Sequence, residues 1–581
     1  MRLRLCILEK KCRGAVSSQA RNPLTRTLVN FDYQNISISN SFSGLAVENS
    51  PGTAPAIRHV YFPATDTGYK FNYSAYGMIY NYSARRSMTI NGSTISDGTE
   101  RAATSFNYPT VASSLADAPA FTQRTESATN SPVSQFTYST TTDAVAQTIT
   151  FIITQPDGSQ VFLTRSTNAA TVGKWRLIRS EIKNGSGVTF AKSVYTYAND
   201  GGGSPQLQSL TSYDDAGQPS LEWFEYDQYG NMIVKREYGQ PVGGQFLARR
   251  RTRLFYKTDA AYINAYLRSL VVEVDVYDGL LNSNDLDDVL IAKSTMTYDD
   301  YAAMGGMEVY AGQSEPPGHD ASYDATKTVR GNVTGTSEWI DLGTNTSITR
   351  LRKLDKFGNT VKEQVSCCNE RTYTSDETNC WSSPEQVTSG NTSGLYLTTS
   401  TEEDFNTGAV ERQEDANGRA VNFSYDEAMR PVEATTDPAS ATATANFNDG
   451  SLVASQSVTY NDSGTQKTVT SSAEYDGWGR VIESVSASGA QVNTVYDAMG
   501  RVTSRSNPFP STGSPQYWTA FQYDTLGRAT VTTLPDGNTL QTSYTGLSVT
   551  TTDQVNRKMK RESDSLGRLV KVTEQDASWR S

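Results

Sequence analysis

The chain has 581 residues, and its composition suits strands and turns better than disorder. Hydrophobic residues make up 36% of it and charged residues 19%, against about 25% charged in an average soluble protein. Disordered chains are poor in aromatic residues, whereas this one has 32 Tyr, 19 Phe and 7 Trp. The net charge of −11 without a basic run argues against nucleic-acid binding. No apolar run approaches the roughly 18 residues of a membrane-spanning helix.

We expect residues 1–30 to form an atypical or poorly ordered N-terminal segment. Met1–Gly14 carries basic residues around a few apolar ones, but it lacks the apolar stretch of about 7–15 residues of a signal peptide. No secretory signal is therefore visible. The cysteines are too few and odd in number for a disulfide framework, although a local bridge to Cys380 and ordinary thiols both remain open: Cys6, Cys12, Cys367, Cys368 and Cys380.

Residues 31–200 are interpreted as a region of degenerate β-repeats. An aromatic residue recurs two positions before a Tyr, and this spacing places both rings on one face of a strand. The pairs are Phe31/Tyr33, Phe71/Tyr73, Phe106/Tyr108, Phe136/Tyr138 and Tyr195/Tyr197.

Residues 201–350 are predicted to be β-rich, and they contain the first complete copy of a repeated signature. This copy consists of Tyr226, Asp227, two variable residues, Gly230 and Asn231. Thr258–Leu267 is the one segment whose pattern allows a short helix.

Residues 351–581 repeat the signature Tyr-Asp-x-x-Gly-Arg. Successive Asp residues at 476, 497, 524 and 553 are 21 to 29 residues apart, which fits one hairpin of two strands of about five or six residues with their turns. The full copies are Tyr475, Asp476, Gly479, Arg480; Tyr496, Asp497, Gly500, Arg501; and Tyr523, Asp524, Gly527, Arg528. Weaker copies contain Asp355, Gly358; Asp415, Gly418, Arg419; Tyr425, Asp426; Asp553, Arg557; and Asp564, Gly567, Arg568.

The signature has the chemistry of a hairpin turn. Its Asp accepts a hydrogen bond from the backbone N–H two residues on, and its Gly supplies the positive φ. The opposite ends of the hairpins are expected to use Pro156-Asp157-Gly158 and Pro535-Asp536-Gly537. Neither Tyr nor Arg is required by such a turn, so we expect Arg to lie over a Tyr ring of its own or a neighbouring hairpin, worth about 0.5–1 kcal/mol. The alternative is that Tyr is simply a good strand residue and Arg a solvated one.

Tandem copies of Tyr-Asp-x-x-Gly-Arg make the chain resemble the YD-repeat, or rearrangement-hotspot (RHS), family, which is related to the shells of insecticidal toxin complexes and of teneurins. The clear copies cover about residues 410–581. The resemblance implies an all-β fold of tandem antiparallel hairpins in a long curved or spiralling sheet. It also implies a hollow shell that in several members encloses a C-terminal toxic polypeptide, and a secreted or cell-surface location.

Enzymatic chemistry is not predicted. His59 and His319 are the only histidines, Gly185-Ser186-Gly187 reads as a turn, and adjacent cysteines do not suggest a metal site. No cofactor motif occurs. The self-cleaving Asp-Pro motif of toxin-releasing relatives has no counterpart at the end of the repeats, because Asp437-Pro438 lies inside them. No catalytic or metal-binding residue is therefore assigned.

The expected function is that of a non-enzymatic scaffold, part of a β-shell that encloses or presents a polypeptide. Its expected partners are a C-terminal toxin or further repeats of the same system. The alternative is a carbohydrate-binding, adhesive surface protein with glycan partners, and a glycosidase-like enzyme is less favoured. No cap is visible beyond the strand at Leu569–Thr573, so we expect an incomplete, open sheet with a free edge.

Overall fold

The computed structural model describes residues 28–38, 52–75, 77–92, 94–108, 121–169, 172–199, 204–279, 289–310, 319–366, 369–375, 384–390, 396–404, 407–438, 440–510 and 516–575. Strands account for 62% of the structure and helix for 2%. The predicted all-β fold is confirmed. No helix in these ranges is long and apolar enough to cross a membrane.

The first twenty strands extend across the first three sections of the sequence. They are β1 Asn30–Ser37, β2 Thr53–Phe62, β3 Thr67–Tyr73, β4 Ile79–Arg86, β5 Ile90–Asn91, β6 Thr94–Ile95, β7 Thr99–Asn107, β8 Gln123–Ala128, β9 Ser134–Asp143, β10 Thr148–Thr154, β11 Gln160–Ser166, β12 Leu177–Lys183, β13 Thr189–Asn199, β14 Pro205–Tyr213, β15 Pro219–Tyr226, β16 Met232–Tyr238, β17 Ala248–Tyr256, β18 Val271–Asp278, β19 Val289–Tyr298 and β20 Val333–Asp341. The short helix α1, Ala260–Asn264, lies within the segment that the sequence allowed, and a 3-10 turn follows at Tyr301–Met304.

The remaining strands are short and closely spaced, as ten-residue half-units require. They are β21 Thr346–Leu354, β22 Thr360–Val365, β23 Asn369–Thr374, β24 Gln386–Ser389, β25 Leu397–Asp404, β26 Ala409–Glu414, β27 Ala420–Tyr425, β28 Pro431–Asp437, β29 Ala441–Asn448, β30 Val453–Asp462, β31 Thr465–Tyr475, β32 Val481–Val485, β33 Ala490–Tyr496, β34 Val502–Ser506, β35 Phe509–Pro510, β36 Trp518–Tyr523, β37 Ala529–Thr533, β38 Thr539–Thr545, β39 Ser548–Thr552, β40 Lys558–Ser563 and β41 Leu569–Gln575.

Thirty-nine of the strands form one antiparallel sheet, with β5 and β6 as a separate hairpin. Neighbours in sequence pair with each other almost throughout, although β4 pairs with β7 and β34 with β36. The sheet is not closed: among the described strands, β1 pairs only with β2, and β41 only with β40. A single layer of sheet buries little, which explains why the buried hydrophobic cluster among the described residues is small and consists of Tyr61, Met88 and Ile95.

Because consecutive strands are antiparallel, their turns alternate between two edges of the sheet. We call the edge that carries the turns 227–231, 426–430, 476–480, 497–501, 524–528 and 564–568 the YD edge. The other, which carries 129–133, 155–159, 214–218, 534–538 and 553–557, is the opposite edge. Asp415 and Asp553 therefore stand in turns of the opposite edge, which uses the Asp-x-x-x-Arg turn as well as Pro-Asp-Gly.

The strip of hairpins winds so that its C-terminal part contacts its N-terminal part. Turns on the opposite edge of the N-terminal part contact turns on the YD edge of the C-terminal part, in the same order along both. Contacts of this kind join Arg86 to Gly450, Ser131 to Arg480, Asp157 to Arg501 and Asp215 to Arg528. The hydrogen-bonded pairs among them are 313 to 364 residues apart, so about this length of chain makes one winding. We call this line of contacts the seam.

Candidate functional site

Each YD turn is organised by its aspartate. Oδ1 of Asp497 accepts the backbone N–H of Met499 at 2.9 Å and that of Arg501 at 2.8 Å. Gly500 has a φ of 83°, in the left-handed region that glycine adopts without strain. The first hydrogen bond and the glycine conformation are those that the sequence predicted. The turn is closed by the backbone N–H of Asp497, which donates to the Arg501 carbonyl at 2.9 Å.

The arginine is also part of the turn, contrary to the prediction that nothing in the turn requires it. Nε of Arg501 donates to Oδ2 of Asp497 at 2.7 Å. The same contact, at 2.6–2.8 Å, joins Arg430, Arg480, Arg528, Arg557 and Arg568 to the Asp four residues earlier. Where Asn replaces Arg, its amide does the same, as between Asn231 and Asp227. The Asp carboxylate therefore selects a donor side chain at this position.

The predicted stacking ladder is confirmed, and it runs from each repeat to the next. The guanidinium of Arg480 lies 4.4 Å from the ring centre of Tyr496, that of Arg501 lies 5.0 Å from Tyr523, and that of Arg528 lies 4.2 Å from Tyr544. In each case the tyrosine belongs to the strand that pairs with the one following the arginine. Successive turns on the YD edge are thus joined side chain to side chain.

The tyrosine hydroxyl completes this link. Tyr496 donates to the Val481 carbonyl at 3.0 Å and Tyr523 to the Val502 carbonyl at 2.6 Å, and each acceptor follows the arginine of the preceding turn. The contact extends into the N-terminal region, with Tyr73, Tyr108, Tyr197, Tyr226, Tyr256, Tyr298, Tyr425 and Tyr544 all donating to a carbonyl of the preceding strand. Three of the degenerate aromatic pairs, Phe71/Tyr73, Phe106/Tyr108 and Tyr195/Tyr197, therefore mark the same edge.

A long insertion divides one YD turn, and only its second half, Arg330-Gly331-Asn332, is visible in the sequence as a weak copy of the signature. The N–H of Asp299 donates to the Asn332 carbonyl at 2.9 Å, which is how the other turns close between Asp and Arg. The Asp299 carboxylate accepts the backbone N–H groups of Arg330, Gly331 and Asn332 at 2.7–2.9 Å. The Tyr298-Asp299 pair is the sequence signal for the first half of this turn.

The described residues of the insertion between Asp299 and Asn332 contact the neighbouring YD turn at 355–359. Within it, Tyr310 donates to Oδ2 of Asp355 at 3.2 Å, and Asp355 is fully buried. Burial, followed by the hydrogen bond to Asp299, raises the pKa of Tyr301 to about 12. These side chains stabilise the insertion against the sheet.

At the seam, the arginines of the YD edge use their remaining nitrogens. Nη2 of Arg528 lies 2.6 Å from Oδ2 of Asp215, whose other oxygen accepts the N–H of Gly546 at 2.6 Å. Burial alone would raise the pKa of the Asp215 carboxyl, but the Gly546 amide and the Arg528 guanidinium outweigh it and hold that pKa below its usual value. One guanidinium therefore contacts its own turn, the next repeat and the previous winding.

Backbone also meets backbone at the seam. The N–H of Gly477 donates to the Thr129 carbonyl at 2.8 Å. A Cβ at Gly477 would lie 2.0 Å from the Arg101 carbonyl oxygen, so only glycine fits here.

The two histidines take part in structural contacts. His59 is fully buried, and its ring nitrogens lie 3.0 Å from Oδ2 of Asp32 and 2.9 Å from Oδ1 of Asp97. The ring of His319 meets that of Phe357 edge to face at 4.9 Å.

The remaining candidates for chemistry give no assembled site. The N–H of Ser186 donates to Oδ1 of Asn184 in an exposed turn. All five cysteines fall outside the described residues, as do Gly201–Gly203. Within the described ranges no group of three or more His, Cys, Asp or Glu side chains could hold a metal ion.

Comparison with known proteins supports the repeat signature found in the turns. The family model for the RHS repeat matches residues 475–512, which include the turns of Asp476 and Asp497. Residues 475–512 are therefore similar to an RHS repeat. By sequence, no curated protein matches it.

The strip of hairpins also has a counterpart among solved structures. The crystal structure of TcdB2-TccC3 superposes with a TM-score of 0.58 at 10% identity, covering 89% of this chain and 39% of that one. This chain therefore spans about two fifths of the length of the toxin-complex chain it matches, and at this identity the likeness concerns the fold alone. The Photorhabdus luminescens Tc holotoxin pore matches less well, with a TM-score of 0.24 at 10% identity, covering 89% of this chain and 32% of that one.

Proposed function

We propose that this chain is a non-enzymatic RHS-repeat scaffold that forms part of the wall of a β-shell, and that the shell encloses or presents a polypeptide in a toxin-delivery system outside the producing cell. The observation that carries the proposal is the seam. A sheet that only displayed its faces to a ligand would need no contact between its two edges. The wall of a shell does need such contacts, because successive windings must be joined along their edges. The ion pairs Arg501–Asp157 and Arg528–Asp215 join them edge to edge.

The fold of TcdB2-TccC3, a two-component complex by its name, supports the same proposal. The glycan-binding alternative is less favoured, because the tyrosines of the YD edge that would offer stacking surfaces already contact Arg side chains and backbone carbonyls.

Protease protection tests the proposal. An unfolded reporter peptide fused after residue 581 should be digested more slowly than the free reporter. It should lose that protection when Arg501→Glu and Arg528→Glu open the seam. Arg557→Glu is the matched control, since Arg557 is 68% exposed and bonds the Asp of its own turn. Equal digestion of the fused and free reporters would contradict enclosure.

A further inference from the structure

A short hairpin between β4 and β7 lies against one face of the sheet. Because β4 pairs directly with β7, the chain between them stands outside the sheet and contains the separate hairpin of β5 and β6. Met88 is fully buried and Ile95 is 4% exposed, and both form a buried cluster with Tyr61 of β2. Asp66 accepts the Met88 N–H at its carbonyl and the Tyr61 hydroxyl at Oδ1. We call residues 87–92 and 94–98 the covering hairpin.

A histidine under the covering hairpin lies between two carboxylates. His59 of β2 is fully buried, and its Nδ1 lies 3.0 Å from Oδ2 of Asp32 while its Nε2 lies 2.9 Å from Oδ1 of Asp97. Asp97 follows β6 in the covering hairpin, and its other oxygen lies 2.5 Å from Nζ of Lys70. Strand register explains the arrangement, because His59 faces Asp32 of β1 on one side and Lys70 of β3 on the other. The carboxylate of Asp97 therefore joins the hairpin to two side chains of the sheet.

The charged groups further from the imidazole are paired among themselves. On β4, the residue that faces Lys70 is Ser83, which is fully buried and accepts Nε of Arg85 at 2.7 Å. Arg85 also lies 3.2 Å from Glu100 of β7. On β2 itself, the neighbouring Arg58 is exposed. The charge next to the imidazole therefore comes from the two aspartates and the lysine.

The two contacts of the imidazole determine where its protons lie. The Lys70 ammonium holds the pKa of the Asp97 carboxyl below its usual value, although burial acts in the opposite direction. An ionised carboxylate only accepts hydrogen bonds, so Nε2 of His59 donates to Asp97. A neutral imidazole has a single N–H, and its other nitrogen would turn a lone pair towards the Asp32 carboxylate. The imidazolium donates to both carboxylates, and in that form the two aspartates are balanced by two cations.

We propose that the covering hairpin is a pH-sensitive latch, which the His59 imidazolium holds against the sheet and which opens when this ring loses one of its two N–H protons. The loss leaves a nitrogen lone pair against a carboxylate oxygen in a buried place, where water screens the repulsion poorly. The stabilisation is fully present at about pH 6, where a solvated imidazole is largely protonated and aspartates are ionised. It is lost as the pH rises into the alkaline range. This device goes beyond the proposed shell function and does not depend on it.

The latch adjoins the first contact of the seam. Arg86, directly before the covering hairpin, donates through Nη1 to the Gly450 carbonyl of the later winding. A cavity lies at this place, lined by Ser87 and Met88 from the hairpin and by Asp449 from the later winding. The hairpin thus forms one wall of the seam here, and its release also loosens this end of the seam.

Hydrogen–deuterium exchange of the intact chain tests the latch. Deuterium uptake by the peptides that cover the hairpin is measured at pH 6, 7.5 and 9 and corrected for the intrinsic exchange rate at each pH. We expect the protection factor of the hairpin amides to fall about tenfold between pH 6 and pH 9, as the loss of one charge-assisted hydrogen bond implies. The paired strands β10 and β11, which contain no histidine, serve as the internal reference and should show no such fall.

Asp97→Asn separates the proton from the packing. The amide of the variant can donate to the bare Nε2 of a neutral imidazole and still accept from Lys70, so protection should not fall between pH 6 and pH 9. Asp143→Asn, in an exposed turn, is the matched control and should retain the full pH dependence.

Three results would overturn the inference: a protection factor of the unaltered chain that stays constant from pH 6 to pH 9, one that rises over this range, or an undiminished fall in Asp97→Asn. The first two are read on the unaltered chain, so they decide even where the variant does not fold. All three leave the protease-protection test of Arg501 and Arg528 untouched, and the two proposals therefore fail separately.

Discussion

Arg528 and Asp215 form an ion pair at 2.6 Å, although 313 residues separate them in the chain. The same guanidinium bonds Asp524 at 2.6 Å and lies 4.2 Å from the ring centre of Tyr544. A residue of the local turn signature thereby also determines how one winding sits on another. Each such repeat therefore supplies both a hairpin of the sheet and a contact of the seam.

The first prediction concerns the strength of this ion pair. Arg528→Ala should destabilise the chain by about 1.5–3 kcal/mol, because a charge-assisted hydrogen bond is lost on a partner that is only 7% exposed. A double-mutant cycle with Asp215→Ala, followed by urea denaturation, should show a coupling energy of at least about 0.5 kcal/mol. Arg557→Ala, at an exposed ion pair of the opposite edge, should cost less than about 1 kcal/mol. If Arg528→Ala and Arg557→Ala lowered the free energy of unfolding equally, the seam would contribute nothing to stability.

Gly477 tests the close approach of the two windings. Gly477→Ala places a Cβ 2.0 Å from the Arg101 carbonyl, and backbone on both sides leaves no flexible group to yield. We expect this substitution to cost more than Gly527→Ala, where the new Cβ meets open space but φ is 79° and the strain is about 1–2 kcal/mol. Denaturation midpoints of the two variants give the order. If Gly527→Ala were the more destabilising of the two, glycine would be required only by the positive φ of the turns and not by the close approach at Gly477.

Met429 offers a stabilising substitution. It occupies the glycine position of its YD turn with a φ of 64°, and its side chain is 37% exposed. Met429→Gly should raise stability by about 0.5–1 kcal/mol by removing left-handed strain. Ala428→Gly, one position earlier, is the control and should give no gain. A loss of stability at 429 would show that the methionine side chain matters more than the backbone.

The stability that the seam contributes should also depend on pH. The folded pKa of Asp215 is depressed, so its contribution is fully present above the unfolded value of about 3.9 and is lost as pH falls through the lower folded pKa. Asp215→Asn should therefore be less stable than the unaltered chain at pH 7 and at pH 5. The difference should shrink as the pH is taken well below 4. Denaturation midpoints at these three pH values decide, and a difference that persists undiminished in acid would contradict the assignment.

Local chemistry could be predicted from the sequence and distant contacts could not. The turn of Asp497, the positive φ of Gly500 and the stacking of Arg501 on Tyr523 follow from residues that are close together in the chain. The seam pairs Asp215 with an arginine more than 300 residues away, and no motif marks such a partner.

Two further differences between the sequence-based predictions and the structure have local causes. Tyr298-Asp299 was visible in the sequence, but its closing residue, Asn332, lies beyond an insertion and could not be assigned to the same turn by spacing. The bond between Arg501 and Asp497 was missed because the backbone turn closes without it, and only the geometry shows that the carboxylate has an oxygen left to accept it.

Chemical cross-linking tests the winding most directly. In an Arg528→Lys variant, a carbodiimide can join the new amine to a carboxylate in contact with it, and mass spectrometry identifies the linked peptides. The account predicts a link between the peptides that contain position 528 and Asp215, together with a link to Asp524 of the same turn as an internal control. A link to Asp524 alone, with none to Asp215, would contradict the seam and with it the wound strip.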